Sequence, residues 1–153
     1  MIRKFSAGGI VFKKEGEKIL WLIRRPAPNP GFNGQLGWNF PRGLTDENES
    51  TQKAALREVR EETGIDAKII KKLPVLKIFF VDSKTNEKTM KFITFYVMEW
   101  ESDLSEGFGW ETAETRWVTA EEADKLLTFK NEGDLLKKAA EIVKKPIQEG
   151  LSL

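Results

Sequence analysis

The chain of 153 residues contains no cysteine and no histidine. The absence of cysteine excludes disulfides, thiolate nucleophiles and cysteine-ligated zinc. The absence of histidine excludes imidazole general bases and histidine-dependent catalytic triads. Any chemistry must therefore rest on carboxylates, lysine, arginine, tyrosine, hydroxyl groups and metals that prefer oxygen ligands.

The sequence also lacks an excess of either charge and lacks long apolar segments. Lysine and arginine number 25 against 24 acidic residues, for a net charge of +1, which argues against a whole-surface attraction to nucleic acid or anionic membrane. The apolar runs are far shorter than the roughly 18 residues that a membrane span needs, and residues 1–6 do not resemble a signal peptide. We therefore expect a cytoplasmic protein with no membrane or DNA partner.

Length and composition predict a single domain over residues 1–153, since 40% of the residues are hydrophobic and 32% are charged. Apolar patterning and turn residues predict the order β-β-α-β-β-β-α-α, which favours an α/β fold with a mixed sheet and helices on both faces. The predicted strands are 7–12, 19–23, 67–81, 88–100 and 115–118, and the predicted helices are 50–63, 119–127 and 132–145. A long loop is predicted for residues 26–37.

The predicted helix at 50–63 carries an acidic cluster. Glu58, Glu61 and Glu62 stand at positions i, i+3 and i+4 and therefore share one face. Glu61 has Arg57 one turn earlier, whereas the other two have no basic residue three or four positions away. Their charge must be neutralised from outside the helix, and Mg²⁺ or Mn²⁺ suits such carboxylates. The alternative is a charged face in solvent.

This helix lies within a longer pattern, G-x5-E-x7-R-E-U-x-E-E-x-G-U, where U is a bulky aliphatic residue, which runs from Gly43 to Ile65. The segment resembles the signature box of the Nudix hydrolases, enzymes that cleave a nucleoside diphosphate linked to another moiety. The resemblance implies an α/β/α sandwich around a mixed β-sheet. It also implies hydrolysis of a pyrophosphate linkage by water that a divalent metal activates.

The resemblance assigns roles to residues of the box. Glu58, Glu61 and Glu62 are implied to face the metal, and the carbonyl group of Gly43 is implied to complete the metal shell. Arg57 is implied to pair with Glu49, which would hold the loop to the helix.

Two flanking segments point to a subgroup. Residues 38–43, Trp-Asn-Phe-Pro-Arg-Gly, resemble the segment before the box of diadenosine polyphosphate hydrolases and RNA 5′-pyrophosphohydrolases, with Arg42 as a phosphate clamp. Residues 115–129 resemble the Arg-Trp run of diadenosine tetraphosphate hydrolases. In that subgroup a glutamate lies five residues before the arginine, which makes Glu111 a candidate fourth acid, as ligand or base, with Glu114 as its competitor.

A binding pocket for adenine needs flat surfaces for stacking. Phe129 matches an aromatic residue of the family's base pocket. Tyr96 or Phe95 is the candidate for the other wall, and the alternative for both is core packing, since successive strand residues face opposite ways. Lys91, on the same strand, is a candidate contact for phosphate, with a solvated side chain as the alternative.

The sequence favours Mg²⁺-dependent hydrolysis of diadenosine tetraphosphate to ATP and AMP. The main alternative is removal of pyrophosphate from triphosphorylated RNA ends, for which a basic groove would be formed by Arg3, Lys4, Arg24, Arg25 and Arg42. Nudix hydrolases of other nucleotide derivatives carry the same box, so such a derivative is a further alternative substrate. A binding module of the Nudix fold without catalysis is disfavoured, because every acid of the box is present. The oligomeric state is left open.

Overall fold

The computed structural model describes residues 1–28 and 36–144, so most of the predicted loop at 26–37 and the end of the last predicted helix lie outside the described residues. Seven strands and three helices are present in these ranges. They are β1 (Ile2–Glu15), β2 (Lys18–Pro26), β3 (Arg42–Leu44), α1 (Thr51–Thr63), β4 (Ile65–Lys72), β5 (Leu76–Val81), β6 (Lys88–Asp103), β7 (Thr112–Val118), α2 (Ala120–Leu126) and α3 (Lys130–Val143).

The strands form one mixed sheet in the order β4-β6-β1-β2-β7, with β3 paired to β1 and β5 paired to β6. The central pair, β1 and β6, is parallel, and it begins with Ile2 opposite Thr89. The other pairs are antiparallel. The predicted mixed sheet is therefore confirmed.

Helices cover both faces of the sheet. On one face α1 buries Ala54, Ala55 and Val59 against strand residues such as Val11 and Met98. On the other face, residues of α2 and α3 pack on a second cluster that includes Ile10, Phe95, Ala123, Leu135 and Leu136. This arrangement is the α/β/α sandwich that the resemblance implied. Among residues 1–28 and 36–144, no helix has the length and apolar character needed to cross a membrane.

The predicted strand at 67–81 is wrong in one respect, because the structure divides it into β4 and β5. Both strands pair with β6, β4 with its C-terminal part and β5 with its N-terminal part. The break contains Pro74, which has no N–H group to donate to a ladder. Leu73 beside it is buried, and its N–H donates to the Phe95 carbonyl at 2.9 Å. Apolar residues on both sides of Pro74 thus concealed a break between strands.

Local signals place the ends of α1. The Ser50 hydroxyl accepts a hydrogen bond from the Lys53 N–H at 3.1 Å, and Gly64 ends the helix in the left-handed region, with φ of 70°. The chain then returns to this helix end, because the N–H groups of Leu104 and Gly109 donate to the carbonyls of Gly64 and Glu61 at 2.8 and 2.7 Å. The loop after β6 is therefore fixed to the end of α1.

We predict that Gly64→Ala destabilises the protein more than Gly16→Ala does. Both glycines have positive φ, 70° and 63°, so each alanine incurs the left-handed penalty of about 1–2 kcal/mol. At Gly64 a Cβ would also come within 2.5 Å of the Gly107 backbone, whereas nothing lies within 4 Å at Gly16. Overpacking adds about 1–3 kcal/mol. Urea unfolding measures both changes, and equal losses would contradict the contact.

Candidate active site

Glu58, Glu61 and Glu62 form the acidic face of α1, and this face lies against β3. Glu58 and Glu62 are each only 8% exposed, while Glu61 is half exposed. A Cβ on Gly43 would overlap the carboxyl group of Glu58. Glycine at this position therefore leaves the space that the Glu58 carboxylate occupies.

Glu62 receives its counter-charge from β2 and β3. Its Oε1 accepts the Arg42 backbone N–H at 2.9 Å and lies 3.7 Å from Nε of Arg24. Burial nevertheless raises the pKa of Glu62 to about 7, although Arg24 and the Arg42 N–H oppose the rise and the nearby Glu58 adds to it. As the sequence predicted, the charge of Glu62 is balanced from outside its own helix.

The same expectation was wrong for Glu58. Nη1 of Arg57, the adjacent residue, lies 2.8 Å from Oε1 of Glu58. The periodicity argument considered only residues three and four positions away, whereas a long arginine side chain reaches its neighbour. Burial raises the pKa of Glu58 against the opposing effect of Arg57, and the carboxylates of Glu61 and Glu111 raise it further. The Glu111 carboxylate is thus close enough to influence the acidic face.

Arg57 joins the helix to the preceding loop. Its Nε and Nη2 donate to the two carboxylate oxygens of Glu49 at 2.8 and 2.9 Å, which is the pairing that the resemblance implied. Its Nη1 also donates to Glu61 at 3.2 Å, and Nη2 donates to the Leu44 carbonyl at 3.1 Å. The hydrogen bonds from Arg57 lower the pKa of Glu49 to about 2. One guanidinium therefore orients three carboxylates.

Arg24 is a buried residue whose role sequence reasoning missed. Its side chain donates to Oγ1 of Thr112 at 3.0 Å, to Oδ1 of Asn39 at 3.4 Å and to the Glu111 carbonyl at 2.9 Å. These bonds fix the backbone of Glu111 beside Glu62. Arg24 follows an apolar strand and looks like a surface cation in the sequence, so no signal distinguished it. Its burial also removes it from the basic groove that the RNA alternative required.

The two candidates for the fourth acid are in different environments. Glu114 accepts from Arg25 at 3.1 Å and from Arg116 at 3.2 Å, and these two hydrogen bonds lower its pKa. Both of its oxygens are therefore engaged away from α1. Glu111 lies in the loop that Arg24 fixes and acts electrostatically on Glu58. The geometry favours Glu111 over Glu114.

Arg42 is held by a buried acid. Nη1 of Arg42 lies 3.2 Å from Oε2 of Glu132, and the guanidinium lies over the Phe129 ring at 5.3 Å from its centroid. Glu132 also accepts the Phe40 N–H at 2.8 Å, and burial raises its pKa against the effect of Arg42. Sequence reasoning missed Glu132, because it resembles an ordinary first-turn acid of α3.

Lys91 lies on the same side of the sheet as Arg42. Burial lowers the pKa of Lys91, and the positive charges of Arg42 and Lys4 lower it further. In the parallel pairing Lys4 stands directly opposite Lys91. The structure thus places three of the predicted cations, Lys4, Arg42 and Lys91, in one basic patch.

The structure does not agree with a base-binding role for Tyr96. Its ring is 3% exposed within the cluster beneath α1, and its hydroxyl is hydrogen-bonded to Oγ1 of Thr51 at 2.7 Å. Phe95, the alternative, is fully buried on the other face and packs edge-on to Phe40. Both rings are core residues because the strand is covered by helices on both faces. Phe129, in contrast, is 46% exposed.

The acidic face has the donor chemistry for a hard divalent cation, although within residues 1–28 and 36–144 no three acidic side chains converge into a closed metal cage. Two buried carboxylates stand beside a glycine whose missing side chain leaves room for one of them. Mg²⁺ needs one or two protein carboxylates and takes its remaining ligands from water and substrate phosphates. An open acidic face of this kind is compatible with such an ion.

A family model for the NUDIX domain matches residues 2–139. The chain belongs to the Nudix family. It is 31% identical over 105 residues to the 8-oxo-dGTP diphosphatase of Proteus vulgaris, and the alignment covers 67% of this chain and 83% of that Nudix relative. It is 40% identical over 60 residues to an RNA pyrophosphohydrolase of Caulobacter vibrioides, and the alignment covers 39% of this chain and 31% of the relative.

Similarity over the full Nudix domain extends to further proteins. The chain is 29% identical over 153 residues to a Mycobacterium tuberculosis protein named as a mutator protein, MutT4, and spans 59% of its length. The crystal structure of a C. elegans Ap4A hydrolase binary complex superposes with a TM-score of 0.73 at 22% identity, covering 92% of this chain and 98% of the other. This structural similarity to the C. elegans protein shows a shared Nudix fold.

We predict that Glu62→Gln stabilises the metal-free protein, and that the gain grows with pH. The pKa of Glu62 is about 7 in the folded protein against 4.5 for an ordinary glutamate. The folded state therefore binds more protons between these values, and wild-type stability falls as pH rises through them. The glutamine has no charge to bury, so it should gain up to about 3 kcal/mol over wild type by pH 8.

Urea unfolding in EDTA at several pH values measures this difference. Glu61→Gln is the matched control, because its half-exposed carboxylate lies one residue away in the same Nudix box and is not buried. A constant difference between Glu62→Gln and wild type from pH 5 to pH 8 would contradict the burial of a charged Glu62.

Proposed function

We propose that the chain is a divalent-metal-dependent pyrophosphohydrolase that prefers dinucleoside polyphosphates and cleaves diadenosine tetraphosphate to ATP and AMP. The coarser part of this proposal, a Nudix pyrophosphohydrolase, follows from the family match. The finer part is supported by one observation. The two flanking segments that resemble diadenosine polyphosphate hydrolases meet in space beside the acidic face.

Contacts between the two segments are direct. The Arg116 guanidinium stacks on the Trp38 ring at 4.7 Å, and the Trp38 carbonyl accepts the Thr128 N–H at 3.0 Å. Further along both segments Arg42 lies over Phe129. Residues that lie between 78 and 90 positions apart in the sequence therefore contact one another, which supports a common role in binding one substrate.

We assign the metal to Glu58, Glu62 and the Gly43 carbonyl, with Glu61 and Glu111 as the remaining acids. When bound, Mg²⁺ or Mn²⁺ would neutralise phosphate oxygens and lower the pKa of a coordinated water. The chain's own residues position the carboxylates that would hold the metal. Arg57 holds Glu58 from within the helix, and Arg24 holds Glu62 from β2. Glu111 is the candidate base that accepts the proton of the attacking water.

The substrate's phosphates and base are assigned to the other side of β3. Arg42 and Lys91 contribute positive charge there, and the substrate's phosphates are negative. Phe129 offers a partly exposed ring for stacking an adenine. Replacing Arg42 would also leave Glu132 buried without its counter-charge, which would lower stability as well as phosphate binding. A substitution at Lys91 therefore tests phosphate binding more specifically.

Removal of pyrophosphate from RNA ends is the second candidate. It is favoured by the 40% identity over 60 residues to an RNA pyrophosphohydrolase. The structure weakens the groove that this reaction was expected to use, because Arg24 is buried and Arg25 is paired with Glu114 at 3.1 Å. Triphosphorylated RNA therefore belongs in every substrate comparison.

We predict that Gly43→Ala folds normally but loses most of its Mn²⁺ affinity and activity. The added methyl group would clash with the Glu58 carboxylate, which is the far end of a flexible side chain and not backbone, so the cost should fall on the site more than on the fold. Mn²⁺ titration followed by electron paramagnetic resonance, with thermal unfolding in EDTA, separates the two effects. Leu44→Ala, one residue further along β3 and exposed, is the control. Wild-type Mn²⁺ affinity in Gly43→Ala would contradict the assignment.

We predict that kcat/KM with Mg²⁺ is higher for diadenosine tetraphosphate than for triphosphorylated RNA, 8-oxo-dGTP or ADP-ribose. Chromatography of the diadenosine tetraphosphate reaction should resolve ATP and AMP, the products of asymmetric cleavage, and not two molecules of ADP. Glu62→Gln, assayed in parallel, should lose most activity on every substrate if the acidic face carries the reaction. A clear preference for the RNA would replace the first candidate by the second.

A further inference from the structure

Two aromatic rings face solvent in the loop between β6 and β7. Trp110 is 85% exposed and Phe108 is 40% exposed. Single exposed apolar side chains are ordinary, but two exposed aromatic rings that line one cavity form a larger apolar patch, and such patches mark binding surfaces. Neither residue belongs to the Nudix box or to the flanking segments, residues 38–43 and 115–129.

The loop that carries these rings is fixed to α1. The N–H of Leu104 donates to the Gly64 carbonyl at 2.8 Å, and the N–H of Gly109 donates to the Glu61 carbonyl at 2.7 Å. After the loop, the Thr112 hydroxyl donates to the Glu62 carbonyl at 2.7 Å. The rings are therefore presented from a backbone tied to the acidic helix, which lowers the ordering cost of binding.

A cavity of about 460 Å³ that opens to solvent lies beside the rings. It is lined by Phe108 and Trp110 together with Arg60, Glu61 and Glu111. The volume is in the range of small-molecule sites. Since Glu61 belongs to the acidic face of α1 and Glu111 is the candidate fourth acid, the cavity adjoins the proposed catalytic site.

We propose that Phe108 and Trp110 form a second base-binding subsite, which stacks the nucleobase at the far end of the substrate's phosphate chain. This inference rests on the proposed function, in which Phe129 binds the other base. Successive contacts join the two places. Arg42 lies over Phe129 and donates its backbone N–H to Glu62, and the preceding residue Glu61 lines the cavity.

The charge of the cavity favours a neutral heterocycle. Glu61, Glu106 and Glu111 contribute three carboxylates, whereas Arg60 contributes one guanidinium, which is already bonded to Asp66 at 3.0 Å. A phosphate group that no metal neutralises would be repelled there. Aromatic rings stack any base through its π-face, so an uncharged nucleobase is the ligand that both observations favour.

The test compares diadenosine tetraphosphate with adenosine 5′-tetraphosphate, which has the same number of phosphates but one base. In Trp110→Ala, the ratio of the first KM to the second should rise between about fivefold and a hundredfold, the range for losing one stacked base. Trp110→Phe keeps a ring and should restore most of the wild-type ratio. Phe79→Ala, an exposed aromatic position on β5, is the control and should leave both KM values unchanged.

An unchanged ratio in Trp110→Ala would overturn the subsite. An equal rise in both KM values would overturn it as well, because the loop would then support the site without recognising a second base. If Trp110→Ala raised KM only for triphosphorylated RNA, the two rings would contact RNA and not a second base of a dinucleotide, and the proposal would be overturned.

Acrylamide quenching of tryptophan fluorescence separates this proposal from the proposed function. Trp110, at 85% exposed, is far more accessible than the buried Trp21 and Trp38, and Trp110→Phe identifies its share of the signal. Saturating diadenosine tetraphosphate should shield Trp110 from acrylamide. Shielding without hydrolysis would support the subsite while the function fails, and hydrolysis without shielding would overturn the subsite alone.

Discussion

The site depends on the pairing of two arginines with carboxylates that the fold buries. Charged groups removed from water are unstable unless they are paired, and the acids of α1 are kept ionisable by Arg57 from within the helix and by Arg24 from β2. Each arginine also bonds to a connecting segment, Arg57 to the loop before the helix and Arg24 to the loop before β7. The same interactions that balance the charge therefore bring the separate segments of the site together.

Signals that act over a few residues made the fold predictable. Ser50 and Gly64 delimit α1, and the capping box of Thr119 and Glu122 begins α2, as their side-chain and backbone chemistry requires. The strand break at Pro74 was concealed because apolar residues flank it on both sides. The length of β1, which begins at Ile2, depends on pairing with β6, and a distant partner leaves no trace in the local pattern.

The candidate site was predictable where the spacing of the box fixes it, and less so elsewhere. Acids of the box share a face for reasons of helix geometry alone. The roles of Arg24 and Glu132 depend on burial and on partners that are distant in sequence, so each looked like an ordinary surface charge. Tyr96 was a candidate because a base pocket needs aromatic walls, and the sequence of a strand cannot distinguish an open face from one covered by a helix.

The parallel pairing of β1 with β6 has a consequence for how the chain reaches this structure. Ile2 meets Thr89, and the ladder continues to Phe12 opposite Glu99. The middle of the sheet therefore cannot form until β6 has left the ribosome, some ninety residues after β1, whereas α1 and its caps need only adjacent residues. Contacts between such distant segments slow folding. The acidic helix can therefore form before β6 is synthesised, but the centre of the sheet beneath it is completed only afterwards.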